Sequence, residues 1–230
     1  MNTMRILLRW LLILCVPTLL LSGTIGIAFN SLWVYTAGFA KYSSAAELEV
    51  SDVELRRVAQ ELIAYFNNGH QEYLDINVTY NNGQTEPVYS VNEINHMKDV
   101  KMLLWLDYVI ALVSATYILG YLGMLWFRER VYVRRELAVC AWRGGIITCG
   151  VVIFLGCFAA ISFDWLFVKF HEIFFPHGNW QFSQYDNMIL MFPAGFWSDA
   201  ALLIGLVGLV LGTLVAGVGR LSLKRLQPVR

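Results

Sequence analysis

A chain of 230 residues that is 57% apolar, 15% charged and formally neutral is too apolar for a soluble domain of this size and too short for several domains. Zero net charge also removes any bulk electrostatic case for nucleic acid as a partner. The charges gather in short stretches. Between them lie apolar runs of roughly twenty residues or more, the length a bilayer demands.

Residues 10–34 make the first predicted span, preceded by Arg5 and Arg9. Basic residues before an apolar run also describe a signal peptide, and Gly26-Ile27-Ala28 resembles a cleavage site. The run is long for a signal sequence and continues through Phe29, Leu32, Trp33 and Tyr35, so an uncleaved helix is expected. Residues 36–102 are polar and carry their own structure. Ser51-Asp52-Val53-Glu54 is a capping box opening an amphipathic helix with Val53, Val58, Leu62, Ile63 and Phe66 along its apolar side, and Asn67-Asn68-Gly69 ends it. Tyr73 to Tyr80 alternates with period two, Asn81-Asn82-Gly83 forms a turn, and Thr85 to Tyr89 returns as a second strand. A second capping box, Ser90-Val91-Asn92-Glu93, starts a helix that runs into the second span, 103–127.

A short hinge, Arg128 to Glu136, leads to the third span, 137–163. Residues 164–193 are polar but dense in aromatics, the fourth span covers 194–218, and a basic tail follows. The chain therefore reads as an all-α membrane protein, a four-transmembrane-helix bundle in one membrane domain, with 36–102 as a small extracellular helix-plus-hairpin cap.

Orientation follows from lysine and arginine bias. The N-terminus has Arg5 and Arg9, the hinge Arg128, Arg130, Arg134 and Arg135, and the tail Arg220, Lys224, Arg225 and Arg230, with only Glu129 and Glu136 as acids among them. Segment 36–102 has five basic residues against ten acidic ones. Both termini are expected in the cytoplasm, with 36–102 and 164–193 outside. Trp33, Trp105, Trp126, Trp165 and Trp197 sit near span ends, as interfacial aromatics do. Cys15, Cys140, Cys149 and Cys157 all fall in apolar runs, which reads as free thiols rather than a disulfide framework.

All four histidines, His70, His96, His171 and His177, fall outside the spans or at their outer edge. Histidine is the usual general base near neutral pH. On the helix starting at Val91, Asn92, His96, Asp99, Leu103 and Asp107 lie close to one stripe, with Glu93 a turn from His96. The alternative is a solvated helix start with ordinary side-chain pairs. Asp107 lies a turn inside the membrane, where an ionisable group is expensive and usually functional. If the third helix continues outward, Asp164, Phe167, His171, Phe174 and Phe175 share a face. That face describes either a satisfied structural histidine or a base at the mouth of an apolar acyl-chain groove. Trp180, Phe182, Phe192, Phe196 and Trp197 extend such a groove or simply anchor the chain at the interface.

No GxSxG elbow, HExxH, Walker loop or dinucleotide fingerprint is present, so no nucleotide is expected. A metal site drawn from His96, His171 and nearby carboxylates has no diagnostic spacing, and none is expected.

Asn92-Glu93-Ile94-Asn95-His96-Met97-Lys98-Asp99-Val100 resembles the NxxExxHMxDV element of a family of bacterial integral membrane proteins, the lipoprotein intramolecular transacylases (Lit). Phe170-His171-Glu172-Ile173-Phe174-Phe175, then Trp180-Gln181-Phe182, Met191-Phe192-Pro193 and Phe196-Trp197 resembles its second element. The four spans and large first outer loop agree, so the resemblance covers nearly the whole chain. Ala194 stands where the family usually has glutamate.

The resemblance implies an acyl transfer without a cofactor. The substrate is a lipoprotein whose N-terminal cysteine carries a diacylglyceryl thioether and a free α-amine. Its sn-2 chain moves to that amine, leaving the lyso form. It implies His96 and His171 as the catalytic pair, Glu93, Asp99, Asp107 and Asn92 as orienting residues, and Phe167, Phe174, Phe175, Trp180 and Phe192 around the acyl chain, with membrane lipid as the setting. The competing reading is a non-catalytic membrane sensor or chaperone that binds a partner through its cap. A third is a metal-dependent lipid hydrolase. The enzyme needs the two histidines close together; the binding protein does not.

Overall fold

The computed structural model describes residues 3–128 and 130–226; Glu129 and Arg230, used above for orientation, lie outside the described residues, as do the side chains of Arg128 and Arg130. The elements in chain order are helices α1 (Thr3–Phe29), α2 (Leu32–Tyr42), α3 (Ser44–Glu47) and α4 (Asp52–Asn67), strands β1 (Asn77–Thr79) and β2 (Thr85–Pro87), and helices α5 (Val91–Arg128), α6 (Arg130–Phe174), α7 (Asn187–Met191) and α8 (Ala194–Arg225). α1, α5, α6 and α8 each contain a stretch long and apolar enough to cross a membrane. The fold class is that of a helical membrane protein with little sheet.

The chain divides into two compact units. The first comprises Met1–Gly26, Asp107–Cys157 and Leu203–Arg230. Lipid solvates apolar side chains as well as a protein interior does, so helices here are held by close packing rather than by expulsion of water. Glycines supply the closeness. A Cβ on Gly145 would lie 2.5 Å from Gly212 O and 2.6 Å from Ala216 N, and one on Gly219 would lie 2.4 Å from Trp142 N. α6 and α8 thus touch backbone to backbone. Gly144 makes room for the Val16 side chain of α1, whose Cβ would lie 2.5 Å from a Cβ placed there. Leu12, Ile13, Tyr121, Leu125, Val133 and Cys140 form the buried apolar cluster. Arg9 and Glu136 pair across it (Nε–Oε1 2.7 Å), and Tyr117 donates to Leu8 O at 3.0 Å.

Gly145→Ala should therefore lower the thermal midpoint in detergent. Backbone atoms cannot swing aside, and overpacking of this kind costs about 1–3 kcal/mol. Gly150→Ala, at a helix position with nothing within 4 Å, should leave the midpoint unchanged or raise it slightly. Equal midpoints for the two variants would contradict the close α6–α8 contact.

The second unit comprises Ile27–Leu106 and Phe158–Leu202. Ser51 caps α4 by accepting from Glu54 N at 3.1 Å. The buried face of α4 runs through Leu55, Val58, Ala59, Leu62, Tyr65 and Phe66. Val53, expected on that face, is 79% exposed because it precedes the i, i+3, i+4 stripe that Leu55 begins; Ile63 is only half-buried. The hairpin is shorter than the alternation suggested, pairing Asn77 with Pro87, Val78 with Glu86 and Thr79 with Thr85. Pro87 has no N–H to extend the ladder. Gly83, at φ +87°, takes the left-handed position in the turn that a Cβ disfavours. Glu54 ties helix to hairpin, accepting from Thr79 N at 2.9 Å and from Arg57 at 2.6 Å.

Two features of the main helices depart from expectation. α1 ends at Phe29 rather than reaching 34. Asn30 and Ser31 break the ladder, and α2 begins anew, carrying buried Tyr35 and Phe39. Ser162 has non-helical φ/ψ (−158°, 86°) inside α6. The break divides α6 where the expected third span ends, and the arm carrying His171 starts after it.

Candidate active site

Within the second unit, α5 supplies His96 and the arm of α6 beyond Ser162 supplies His171. The ring centroids are 5.8 Å apart and the planes lie within 27° of parallel. Both side chains are buried, at 6% and 8% exposure. Aromatic rings surround them. Phe175 and Phe182 meet His96 at 4.8 and 5.5 Å. Phe167 and Trp180 meet His171 at 4.1 and 4.9 Å, with Phe170 and Phe175 each at 5.4 Å.

Hydrogen bonding differentiates the pair. His171 Nδ1 lies 2.8 Å from Phe167 O. A carbonyl only accepts, so Nδ1 carries the proton and Nε2 of the neutral ring keeps its lone pair. His96 Nδ1 is buried with no hydrogen-bond partner. His96 precedes the apolar run of α5 and His171 follows the break at Ser162, so both lie outside the apolar spans. Burial lowers the pKa of His96 to about 4, helped by the charge of His171 and opposed by Asp99. Burial also lowers that of His171, opposed by its bond to Phe167 O. Both rings are consequently neutral near pH 7.

The segment after α6 folds back over the start of α5 through three bonds. Asn179 Nδ2 donates to Asp99 Oδ2 at 2.6 Å, Asn187 Nδ2 to Val88 O at 2.6 Å, and Met188 N to Glu93 Oε1 at 2.6 Å. Gly178, at φ +76°, makes the reversal after Phe175.

The remaining expected site residues separate by environment. Phe167, Phe175 and Trp180 line the histidines. Phe174 stacks on Phe170 at 4.8 Å and is half exposed. Phe192 is not part of this cage: it is buried in a second aromatic cluster with Tyr35, Phe39, Phe196 and Trp197, as the residue that joins α7 to α8. Glu93 does not orient His96; its two oxygens are taken by Ser90 N and Met188 N, each at 2.6 Å. Asp99 faces Asn179. Asp107 belongs to the first unit, where its carboxyl lies beside the Ser22 hydroxyl. Asn92 is exposed, as is Ala194 at the start of α8. Among the described residues no three His, Cys, Asp or Glu side chains converge. Asn179 escaped sequence reading because it stands alone in a loop, with no periodicity to mark it.

A helical membrane protein with a neutral, aromatic-caged histidine pair is one class of fold and site, and comparison with known proteins gives it a family. The model of the lipoprotein intramolecular transacylase Lit matches residues 10–197; the chain belongs to this family. The fold is shared with the membrane-integral lipoprotein intramolecular transacylase Lit of Bacillus cereus, at 21% identity and TM-score 0.81 over 98% of each chain. It is shared too with a histidine-to-arginine variant of that protein, at TM-score 0.74, 21% identity and coverage of 96% and 93%. An Aquifex aeolicus protein described only as uncharacterized is 28% identical over 139 residues, and the chain spans 60% of that relative's length.

Proposed function

We propose that the protein transfers the sn-2 acyl chain of a diacylglyceryl-cysteine lipoprotein to the α-amine of the same cysteine, producing the lyso form. The histidine pair carries this reading: two neutral imidazoles stacked 5.8 Å apart, one with its tautomer fixed, inside an aromatic cage. Donor and acceptor are one molecule, so the protein need only hold the lipid in an attacking geometry. The α-amine, with an ordinary pKa of about 7.7–8.0, is its own nucleophile once deprotonated, and no serine or cysteine is required.

His171 Nε2 acts as the base and His96 donates an N–H to the developing oxyanion. The amine attacks the ester carbonyl and gives a proton to His171 Nε2. The tetrahedral adduct expels the glyceryl oxygen, which takes that proton back. One ester becomes one amide and one free sn-2 hydroxyl. Phe167, Phe175, Trp180 and Phe182 shield the reacting atoms from water and contact the chain. The four apolar helices cross the cell membrane with both termini cytoplasmic and the histidines on the extracellular side, where lipoproteins are displayed.

The test is mass spectrometry of lipoprotein N-termini from a host lacking N-acylation, with and without this protein. Lyso-form termini appearing only with the protein are the expected result. Unaltered diacylglyceryl termini alongside well-expressed protein would overturn the reading and favour a binding role for the second unit.

A further inference from the structure

Among the described residues of the second unit, two side-chain polar atoms are buried without a hydrogen-bond partner, His96 Nδ1 and Asn179 Oδ1. The first belongs to the proposed oxyanion donor. The second has no place in the scheme above. Asn179 sits one residue before Trp180, which stacks on His171, and its Nδ2 is bound to Asp99, one turn beyond His96. A carboxylate accepts only, so that bond fixes which side of the amide carries nitrogen. Oδ1 is left as an acceptor held in one orientation. A buried acceptor with no donor is costly to maintain and needs an explanation.

We propose that Asn179 Oδ1 is the binding site for the primary amine that acts as nucleophile, an inference that rests on the transacylase reading. A deprotonated primary amine has two N–H bonds and one lone pair. After attack one proton passes to His171 Nε2. The other N–H donates to Asn179 Oδ1 throughout, which turns the lone pair toward the ester carbonyl. Asn179 itself exchanges no proton. Asp99 is a positioning residue that keeps the amide from flipping. The site therefore selects a primary over a secondary amine, because an N-methyl group removes the second N–H and places a carbon against Oδ1.

The experiment uses the full chain in micelles with two synthetic diacylglyceryl lipopeptides, one with a free N-terminal cysteine amine and one N-methylated there. The quantity read is the ratio of their kcat/KM values, in wild type and in Asn179→Leu. One lost hydrogen bond corresponds to roughly 10- to 100-fold. Asn179→Leu is expected to lower turnover of the primary amine by that factor and leave the N-methyl substrate unchanged, so the ratio collapses. A merely structural asparagine would lower both rates together and preserve the ratio, which overturns the proposal, as does an unchanged primary rate. Should Asn179→Leu fail to accumulate, Asp99→Asn takes its place, since it frees the amide to flip; the ratio must fall there too, and an unchanged ratio overturns the proposal. Wild-type protein that acylates neither amine refutes the transacylase reading instead.

Discussion

On the proposed mechanism, His171→Ala is expected to abolish formation of the lyso form while the protein still accumulates in the membrane. A positioned general base contributes about 10²–10⁴ in rate, and His171 offers a lone pair on Nε2 with its tautomer already fixed by Phe167 O. His96→Ala should fall by about 10²–10³, the usual loss for one oxyanion donor. The two deficits should not multiply, since both groups serve one transition state. The pH profile gives an independent check. Burial holds His96 near 4 and pushes His171 below the ordinary histidine value of 6.5, so neither imidazole should set an inflection at 6.5. The acid limb should instead follow the substrate amine, with activity falling as pH drops below about 8. Lowering the amine pKa by substitution next to it should move the limb down by the same amount. An inflection near 6.5 that stays fixed when the amine pKa changes would show a solvent-accessible histidine and contradict the buried pair.

The largest effect on stability is expected at Glu93, which is 2% exposed. One oxygen closes the capping box on Ser90 N and the other accepts from Met188 N. Glu93→Ala leaves two backbone donors without their acceptor. Hydrogen bonds to a charged group are worth about 1.5–3 kcal/mol each, so a loss of roughly 3–6 kcal/mol follows. At roughly 2–4 °C per kcal/mol for a chain of this size, the thermal midpoint should drop by roughly 6 °C or more. The bond to Met188 also anchors the segment carrying Asn179, Trp180 and Phe182. Acyl transfer should therefore fall at temperatures well below the new midpoint. Glu93→Gln keeps one good acceptor and should recover about half of the loss. A midpoint within about 2 °C of wild type for Glu93→Ala would refute the clamp.

Glu93 answers to two partners, only one of which is near it in sequence. Its spacing from Ser90 marks a capping box, and the box is there. The same residue also lies one turn from His96, and that spacing alone pointed to an orienting carboxylate. Its second oxygen instead meets Met188, from a segment far along the chain that no local pattern announces. Phe192 follows the same logic. An apolar aromatic near a span end suits either a groove or a core, and only the packing of Tyr35, Phe39 and Phe196 around it decides for the core.

By itself the sequence determined what depends on a few neighbouring residues: four apolar helices from run length, the caps at Ser51 and Ser90, the turn at Gly83, and the histidine elements that resemble a family. These are local because backbone hydrogen bonding in helices and turns links residues three or four apart. The tertiary structure alone decided that His96 and His171 stack and that Asn179 is turned by Asp99. Both depend on contacts between segments distant in sequence, and a one-dimensional pattern carries no record of them.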